Sequence, residues 1–291
     1  MRHIENVTIE HTVTIDRNIE GGVTYTGILD LNELKTKLQD NFSIAMASRF
    51  PMYIWFPSAD AQKAYCYGLY YEPPGDTRTR KAASSHRGIG NLLFNNLPGW
   101  AALPERETSA TVYSGRNTAN DFSKKPGDEG SYTGRMYRAV PALNSKLVIA
   151  PATHFYFSFL YALGEFGIAD AAYGSLGKLQ SCFHWLFRTC GIEDGVFSDW
   201  QQFVTALNDV AFEKIRPADK VSGDTELLLQ TLVKNKTHVV DFLDQAFSPL
   251  HNGFSVIDFN DGLKKEEYPD NLIWMASPCL FIEERLFEEW V

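Results

Sequence analysis

Cysteine is scarce in this sequence, and its placement fits neither a disulfide framework nor a metal-binding motif. Only four of the 291 residues are cysteine, and no two of them form a CxxC or CxxxC pair. Cys182 and Cys190 fall eight residues apart in one predicted helix, which separates them by about 12 Å of helical rise. Because that distance is too long for a disulfide bond, we expect reduced thiols and a cytoplasmic location.

Long apolar runs and a secretion signal are also missing. The most apolar window, Phe155–Leu163, is much shorter than the ~20 residues that cross a bilayer. The first residues lack the basic and apolar regions of a signal peptide. We therefore expect a soluble protein with no membrane partner, and export by a signal-less route stays open. The net charge of −9 makes nucleic acid an unfavourable partner.

The signature motifs of the common enzyme classes are absent as well. The sequence has no GxxxxGKS/T phosphate loop and no GxGxxG, HExxH, GxSxG or HRDxxxxN motif. Without these motifs the sequence does not indicate a particular reaction, and whether the chain is an enzyme is left open. The stretch IDFNDG holds Asp258 and Asp261, whose oxygens suit a divalent cation, but its spacing departs from the EF-hand loop. A strand followed by a turn is the favoured interpretation, and we expect no metal site.

What is present is a clear division into strand-like and helix-like periodicity. Runs typical of strands lie toward both ends of the chain: Glu5–Asp16, Val23–Leu29, Met52–Phe56, Ala64–Tyr71, Phe254–Phe259 and Asn271–Ala276. Over residues 153–247 the apolar positions instead repeat with the period of a helix. This order predicts an α+β fold in one domain, residues 1–291. We expect a mostly antiparallel, aromatic-rich sheet built from both termini, with a helical block after residue 150.

A loop-rich basic segment, residues 73–134, interrupts that pattern. Turn-forming sequences such as PPGD and LPGW dominate it, and only Asn91–Phe94 and Thr111–Tyr113 have a regular pattern. Residues 76–138 carry ten basic and six acidic side chains, a net charge of +4, and seven of the 13 arginines. Arginine grips phosphate or carboxylate through two parallel hydrogen bonds. One hypothesis is therefore an anion-binding loop for a nucleotide or another phosphate-bearing ligand, with three candidate substrate-binding residues, Arg87, Arg116 and Arg135.

The alternative is that the basic segment is a solvated surface without a ligand. Residues 258–291 carry nine acidic and three basic side chains, a net charge of −6. Opposite charges at this density attract each other. On this interpretation, the basic loops pair with the acidic C-terminus.

Two short segments resemble the mono-ADP-ribosyltransferases. MYRAV, with Arg138 at its centre, looks like the arginine-bearing strand that opens the site of that family, and FYFSF, with Ser158, looks like its serine-bearing strand. The resemblance implies that Arg138 helps to hold NAD, with Ser158 nearby. It also implies a glutamate on a later strand that stabilises the oxocarbenium-like transition state, a place that Glu283 or Glu284 would fill. The one ExE pair, Glu105–Glu107, departs from the family by preceding Arg138.

Two functional hypotheses from different classes follow. The first is an enzyme of transferase type that holds a phosphate-bearing ligand through the Arg-rich segment, with NAD as the leading candidate cofactor and Arg138 and Glu283 as catalytic residues. The second is a non-catalytic assembly or recognition protein. Its basic loops would dock an acidic partner, or the acidic C-terminus of another copy in an oligomer.

The sequence also predicts the surroundings of Arg138. This arginine shares one face of a predicted strand with apolar neighbours, and an unpaired buried charge costs several kcal/mol. We therefore expect a charged partner, either an acid such as Asp258 or Glu283 or a ligand anion. We also expect Arg138 to line a cleft with at least one of three other arginines, Arg87, Arg116 and Arg135.

Overall fold

The computed structural model describes most of the chain, in segments separated by gaps. The described residues are 12–15, 23–57, 66–73, 85–104, 109–121, 134–168, 176–192, 197, 199–221, 223–260, 263 and 265–291. Most of the predicted strand Glu5–Asp16, and much of the basic segment, lie outside them.

Ten strands lie in the described segments, and they pair into one antiparallel sheet. They are β1 Thr12–Ile15, β2 Val23–Ile28, β3 Tyr53–Pro57, β4 Gly68–Tyr71, β5 Ala110–Tyr113, β6 Gly134–Pro141, β7 Lys146–Ile149, β8 Ser255–Asp258, β9 Leu272–Met275 and β10 Cys279–Glu283. The order across the sheet is β1-β2-β4-β10-β6-β3-β5-β9-β7-β8. Strand β10 thus lies between β4 and β6, so strands from both ends of the sequence meet in the middle of the sheet.

Ten α-helices lie in the same segments. They are α1 Leu31–Asn41, α2 Ile44–Arg49, α3 Ser85–Asn96, α4 Arg116–Asp121, α5 Leu160–Glu165, α6 Leu176–Thr189, α7 Trp200–Ala211, α8 Asp224–Lys234, α9 Val239–Ala246 and α10 Glu284–Trp290. Helices α5 to α9 are the predicted block after residue 150, so the α+β class is confirmed. Of the helices described, none is both long enough and apolar enough to cross a membrane.

Helices α3 and α4 correct the prediction of an almost structureless segment 73–134. Ile89 and Leu93, one turn apart on α3, are fully or almost fully buried, so this helix has an ordinary apolar face. The pattern was obscured by Gly88 and Gly90, because glycine is a poor helix former. At Gly90 the missing side chain has a packing reason, since a Cβ atom there would collide with the side-chain amide of Gln180 on α6.

At β7 and β9 the sheet separates two hydrophobic clusters. On β7 and β9, Val148 and Trp274 are cross-strand neighbours and belong to the cluster formed with the helical block. The adjacent residues Leu147 and Ile273 point the other way and belong to a second cluster, which includes residues of α1, α2 and α10. Arg138 on β6 contacts α2 and α10. Arg138 therefore lies beside two helices that contribute residues to the second cluster.

All four cysteines are free, as the sequence predicts. Burial raises the pKa of each thiol, and it raises that of the fully buried Cys279 well above the ordinary value. The charge of Arg135 opposes this effect at Cys66, and a hydrogen bond with Thr225 opposes it at Cys182.

We expect these thiols to react slowly with an alkylating reagent in the native protein, because the thiolate is the nucleophile and burial disfavours it. Cys279 should be labelled only as fast as the protein unfolds, whereas the half-buried Cys66 and Cys190 should react more slowly than free cysteine. Timed iodoacetamide treatment near neutral pH, read by mass spectrometry, measures this, with protein in urea as the control. Labelling of native Cys279 at the rate of the control would contradict the expectation.

Candidate functional site

Arg138 is a buried residue in the middle of the sheet. Strand β6 runs between β3 and β10, and Arg138 lies opposite Tyr53 on one side and Ile282 on the other. Cross-strand neighbours of this kind share one face of the sheet. Helices α2 and α10 cover that face, and they leave Arg138 only 8% exposed.

The Arg138 guanidinium is held by aromatic rings and one carbonyl oxygen. Its Cζ atom lies 4.8 Å from the ring centroid of Tyr53 and 4.4 Å from that of Phe287. Its Nη2 atom donates a hydrogen bond of 3.0 Å to the carbonyl oxygen of Ala47, and its buried Nε atom has no hydrogen-bond partner among the described residues. Burial lowers the pKa of Arg138, an effect opposed by Tyr53 and by acidic residues of α10.

Among the described residues no acid forms an ion pair with Arg138, so the first of its two expected partners is not found, and the second, a ligand anion, stays a prediction. Asp258 is exposed at the end of the edge strand β8. The Glu283 carboxylate is engaged elsewhere, because its Oε2 atom accepts hydrogen bonds from the backbone N–H groups of Arg285 and Leu286. The expectation of an acidic partner failed because ring faces, which attract cations, and a backbone carbonyl take the place of a counter-charge.

A cleft of about 440 Å³ lies beside Arg138, where α4 and α10 meet the ends of β3 and β6. The described residues that line it are Trp55, Arg116, Asn120, Arg135, Met136, Glu283, Glu284 and Arg285. The lining holds three arginines and two glutamates, a net charge of +1 in a chain of −9. Arg138 itself is not part of the lining.

Arg116 and Glu284 form a bidentate ion pair across the cleft. The Nε and Nη2 atoms of Arg116 donate to the two carboxylate oxygens of Glu284 at 2.7 and 2.8 Å. This hydrogen bonding and the charge of Glu284 raise the pKa of Arg116. The Arg116 side chain is 58% exposed and that of Glu284 11%, so the arginine remains open to solvent while the carboxylate is largely covered.

The other two arginines come from different elements. Arg135 is exposed near the start of β6. Its positive charge acts to lower the pKa of the Cys66 thiol, against the larger effect of burial. Arg285 is the second residue of α10 and is also exposed. Within the described residues, no carboxylate lies within ion-pair distance of the Arg285 guanidinium. The positive charge of Arg285 is therefore available to a ligand.

Two further residues give the cleft an apolar wall. Trp55 and Met136 are cross-strand neighbours on β3 and β6, and both line the cleft. Trp55 is 7% exposed, so most of its ring is covered. The cleft therefore combines charged side chains with an apolar pair.

The structure brings together some of the predicted site residues and separates others. Arg116, Arg135 and Glu283 share the cleft, whereas Arg138, which was expected to line a cleft with them, is on the same strand as Arg135 but outside this lining. Arg87 falls on α3, but its side chain lies outside the described part of the chain. Ser158 is 2% exposed, donates a hydrogen bond of 3.2 Å to the carbonyl oxygen of His154, and does not line the cleft.

Sequence reasoning missed Arg285, Trp55 and Asn120. Only Arg285 had a usable signal, since it is one of just three basic residues in the acidic segment 258–291. In the part of the chain that the structure describes, no three His, Cys, Asp or Glu side chains come together as a metal site would require. Strand β8 ends at Asp258, and Asp261 lies outside the described residues.

Comparisons of the chain with protein families, with curated proteins and with solved structures find no match.

Proposed function

We propose that the cleft between α4, β6 and α10 binds a phosphate-bearing ligand and that the protein acts on this ligand as an enzyme. The observation that carries the proposal is the convergence of Arg116, Arg135 and Arg285 on one cleft. A local positive charge attracts an anion even when the molecule as a whole is negative. The planar guanidinium also matches the oxygens of phosphate through pairs of hydrogen bonds.

The size and lining of the cleft favour a nucleotide over a small inorganic anion. A volume of about 440 Å³ lies within the range of ~300–1,000 Å³ found for small-molecule sites. Met136 and the exposed edge of Trp55 can contact a flat ring, and the three arginines in the same lining can bind a phosphate group. NAD, which has both parts, is the first ligand to test.

Glu283 is the candidate catalytic group. It lines the cleft, and two backbone N–H groups of α10 hold its carboxylate in place. A fixed carboxylate stabilises the positive charge that develops on a sugar carbon as its bond to a leaving group breaks. With NAD, the bond from C1′ to nicotinamide would break and its electron pair would leave with nicotinamide. An acceptor nucleophile would then bond to C1′ and lose its proton.

We expect pyrophosphate and at least one nucleotide to stabilise the protein against heat. A ligand at 100 times its Kd that binds only the folded state adds about 2.7 kcal/mol, or about 5 °C in Tm for a chain of this size. Replacing Arg135 and Arg285 together with alanine should weaken pyrophosphate binding at least tenfold, because hydrogen bonds to charged groups contribute about 1.5–3 kcal/mol. Isothermal titration calorimetry measures the pyrophosphate affinity of the wild type and of the double variant.

Arg216→Ala is the matched control, because it removes an exposed arginine that pairs with Glu213 outside the cleft. Its pyrophosphate affinity should equal that of the wild type. If no nucleotide or pyrophosphate shifts Tm or gives binding heat, or if the double variant binds as tightly as the wild type, the proposal fails.

The second candidate is an assembly or recognition protein, and the Arg116–Glu284 pair favours it. That pair joins the basic segment to the acidic C-terminal segment within one chain, across 168 positions of sequence. The same complementarity between two copies would make an oligomer that dissociates in high salt, since salt screens exposed charges. Light scattering of the purified protein at low and high salt tests this, and a monomer at every concentration in low salt counts against it.

A further inference from the structure

We infer that the ligand's phosphate takes the position now held by the Glu284 carboxylate, so that binding requires Glu284 to release Arg116. This inference rests on the proposed function, and it assigns the phosphate subsite to the Nε and Nη2 edge of Arg116. Glu284 then acts as an internal ligand that lowers the affinity of the cleft until it is displaced.

The geometry of the ion pair supports this assignment. A carboxylate and a phosphate present two oxygens to the same edge of a guanidinium, each accepting one of two parallel hydrogen bonds. Glu284 satisfies both bonds of Arg116 at 2.7 and 2.8 Å. The occupant is therefore chemically equivalent to the anion that the three arginines are proposed to bind, and it lies in the lining of the same cleft.

Release of Glu284 leaves both walls of the cleft in place. Helix α10 is capped by Glu283, whose carboxylate accepts from two backbone N–H groups, and not by Glu284. Helix α4 has an independent anchor, because the Thr118 hydroxyl donates to the Asp270 carboxylate at 3.1 Å. The contacts that must break to open the subsite are thus those of one ion pair, whose Arg116 side chain is already 58% exposed.

The test is pyrophosphate affinity in Glu284→Gln, measured by isothermal titration calorimetry. Gln keeps the length of the side chain but removes the charge that holds Arg116, so we expect binding about fivefold tighter than in the wild type. The gain should vanish in the double variant with Arg116→Ala. Glu289→Gln removes the same charge from an exposed position of α10 outside the cleft lining, and should leave the affinity within about twofold.

Glu284→Asp provides a second measurement that keeps the charge. Its shorter side chain moves the carboxylate away from the Nε and Nη2 atoms of Arg116, so we expect pyrophosphate affinity to rise, but by less than in Glu284→Gln. A thermal melt of each variant checks that it folds. If the wild type binds pyrophosphate through Arg135 and Arg285 but neither Glu284 variant binds more tightly, the inference is overturned and the proposed function stands. If no variant binds pyrophosphate or a nucleotide, the proposed function fails.

Discussion

Replacing Phe159 with alanine is expected to lower the free energy of unfolding by about 4 kcal/mol, as large-to-small changes of buried aromatic residues do. Phe159 is fully buried in the cluster of the helical block. Its ring centroid lies 5.0–6.0 Å from those of five other aromatic residues: Phe94, Trp100, Phe155, Phe247 and Phe254. Because these neighbours also pack against one another, the space left by the ring has little room to collapse.

Urea unfolding measures this loss, and Tm should fall by about 8 °C. Phe212→Ala is the control, because that side chain is 45% exposed, and its effect should stay within about 0.5 kcal/mol. The cleft lies away from this cluster, so pyrophosphate affinity well below Tm should not change. A loss below about 1 kcal/mol for Phe159→Ala would mean that the cluster is not packed as described.

The elements that sequence could predict are those with local signals. Helix α1 begins after Asp30, whose side chain accepts hydrogen bonds from the backbone N–H groups of Asn32 and Glu33, and this cap follows from residue type and spacing alone. A serine cap and the stop at Gly191 predict a helix over Ser175–Cys190, and helix α6 is found at Leu176–Thr189. In both cases an apolar stripe and a cap or stop lie within one stretch of chain.

The last part of the sequence shows where local signals run out. Residues 280–290 fit either an acidic helix or an extended strand. In the structure Glu283 both ends β10 and caps α10, so the two interpretations each hold for half of the segment. Every residue of β10 is buried, which removes the alternation that would have identified it as a strand.

For the candidate site, only the local excess of arginine could be predicted from the sequence. The clustering of arginines in the sequence predicts that some of them lie together, and Arg116 and Arg135 do share a cleft. The residues that neighbour these arginines could not be predicted. Glu284 is 168 positions from Arg116 in the sequence, and Trp55 is brought to the cleft by the pairing of β3 with β6. No spacing in the sequence encodes either contact.

Arg138 shows why a general rule was not enough there. A buried cation was expected to require an acid or a ligand anion, but Arg138 lies between two rings and donates to the carbonyl oxygen of Ala47. Both features need α2 and α10 to fold over β6, which is a tertiary event. The result is a buried charge whose desolvation is offset by no salt bridge in the part of the chain that the structure describes, and this makes its replacement informative.

We expect Arg138→Met to be about as stable as the wild type, and Arg138→Ala to lose about 2 kcal/mol. Methionine fills the space between Tyr53 and Phe287 and keeps favourable contacts with both rings. It forgoes the cation–π attraction and the hydrogen bond to Ala47, but it also removes the cost of burying a charge without an acid. Alanine leaves a cavity there. Urea unfolding of the two variants beside the wild type measures the difference.

Pyrophosphate binding separates a structural role for Arg138 from a direct role at the ligand. In Arg138→Ala, α10 loses a contact to the sheet, and the cleft residues Glu283 to Arg285 that it carries should bind less well. In Arg138→Met that contact is kept, so the affinity should stay within about twofold of the wild type. A stable Arg138→Met that loses tenfold or more in affinity would contradict this. It would mean that the charge of Arg138 attracts the ligand although Arg138 does not line the cleft.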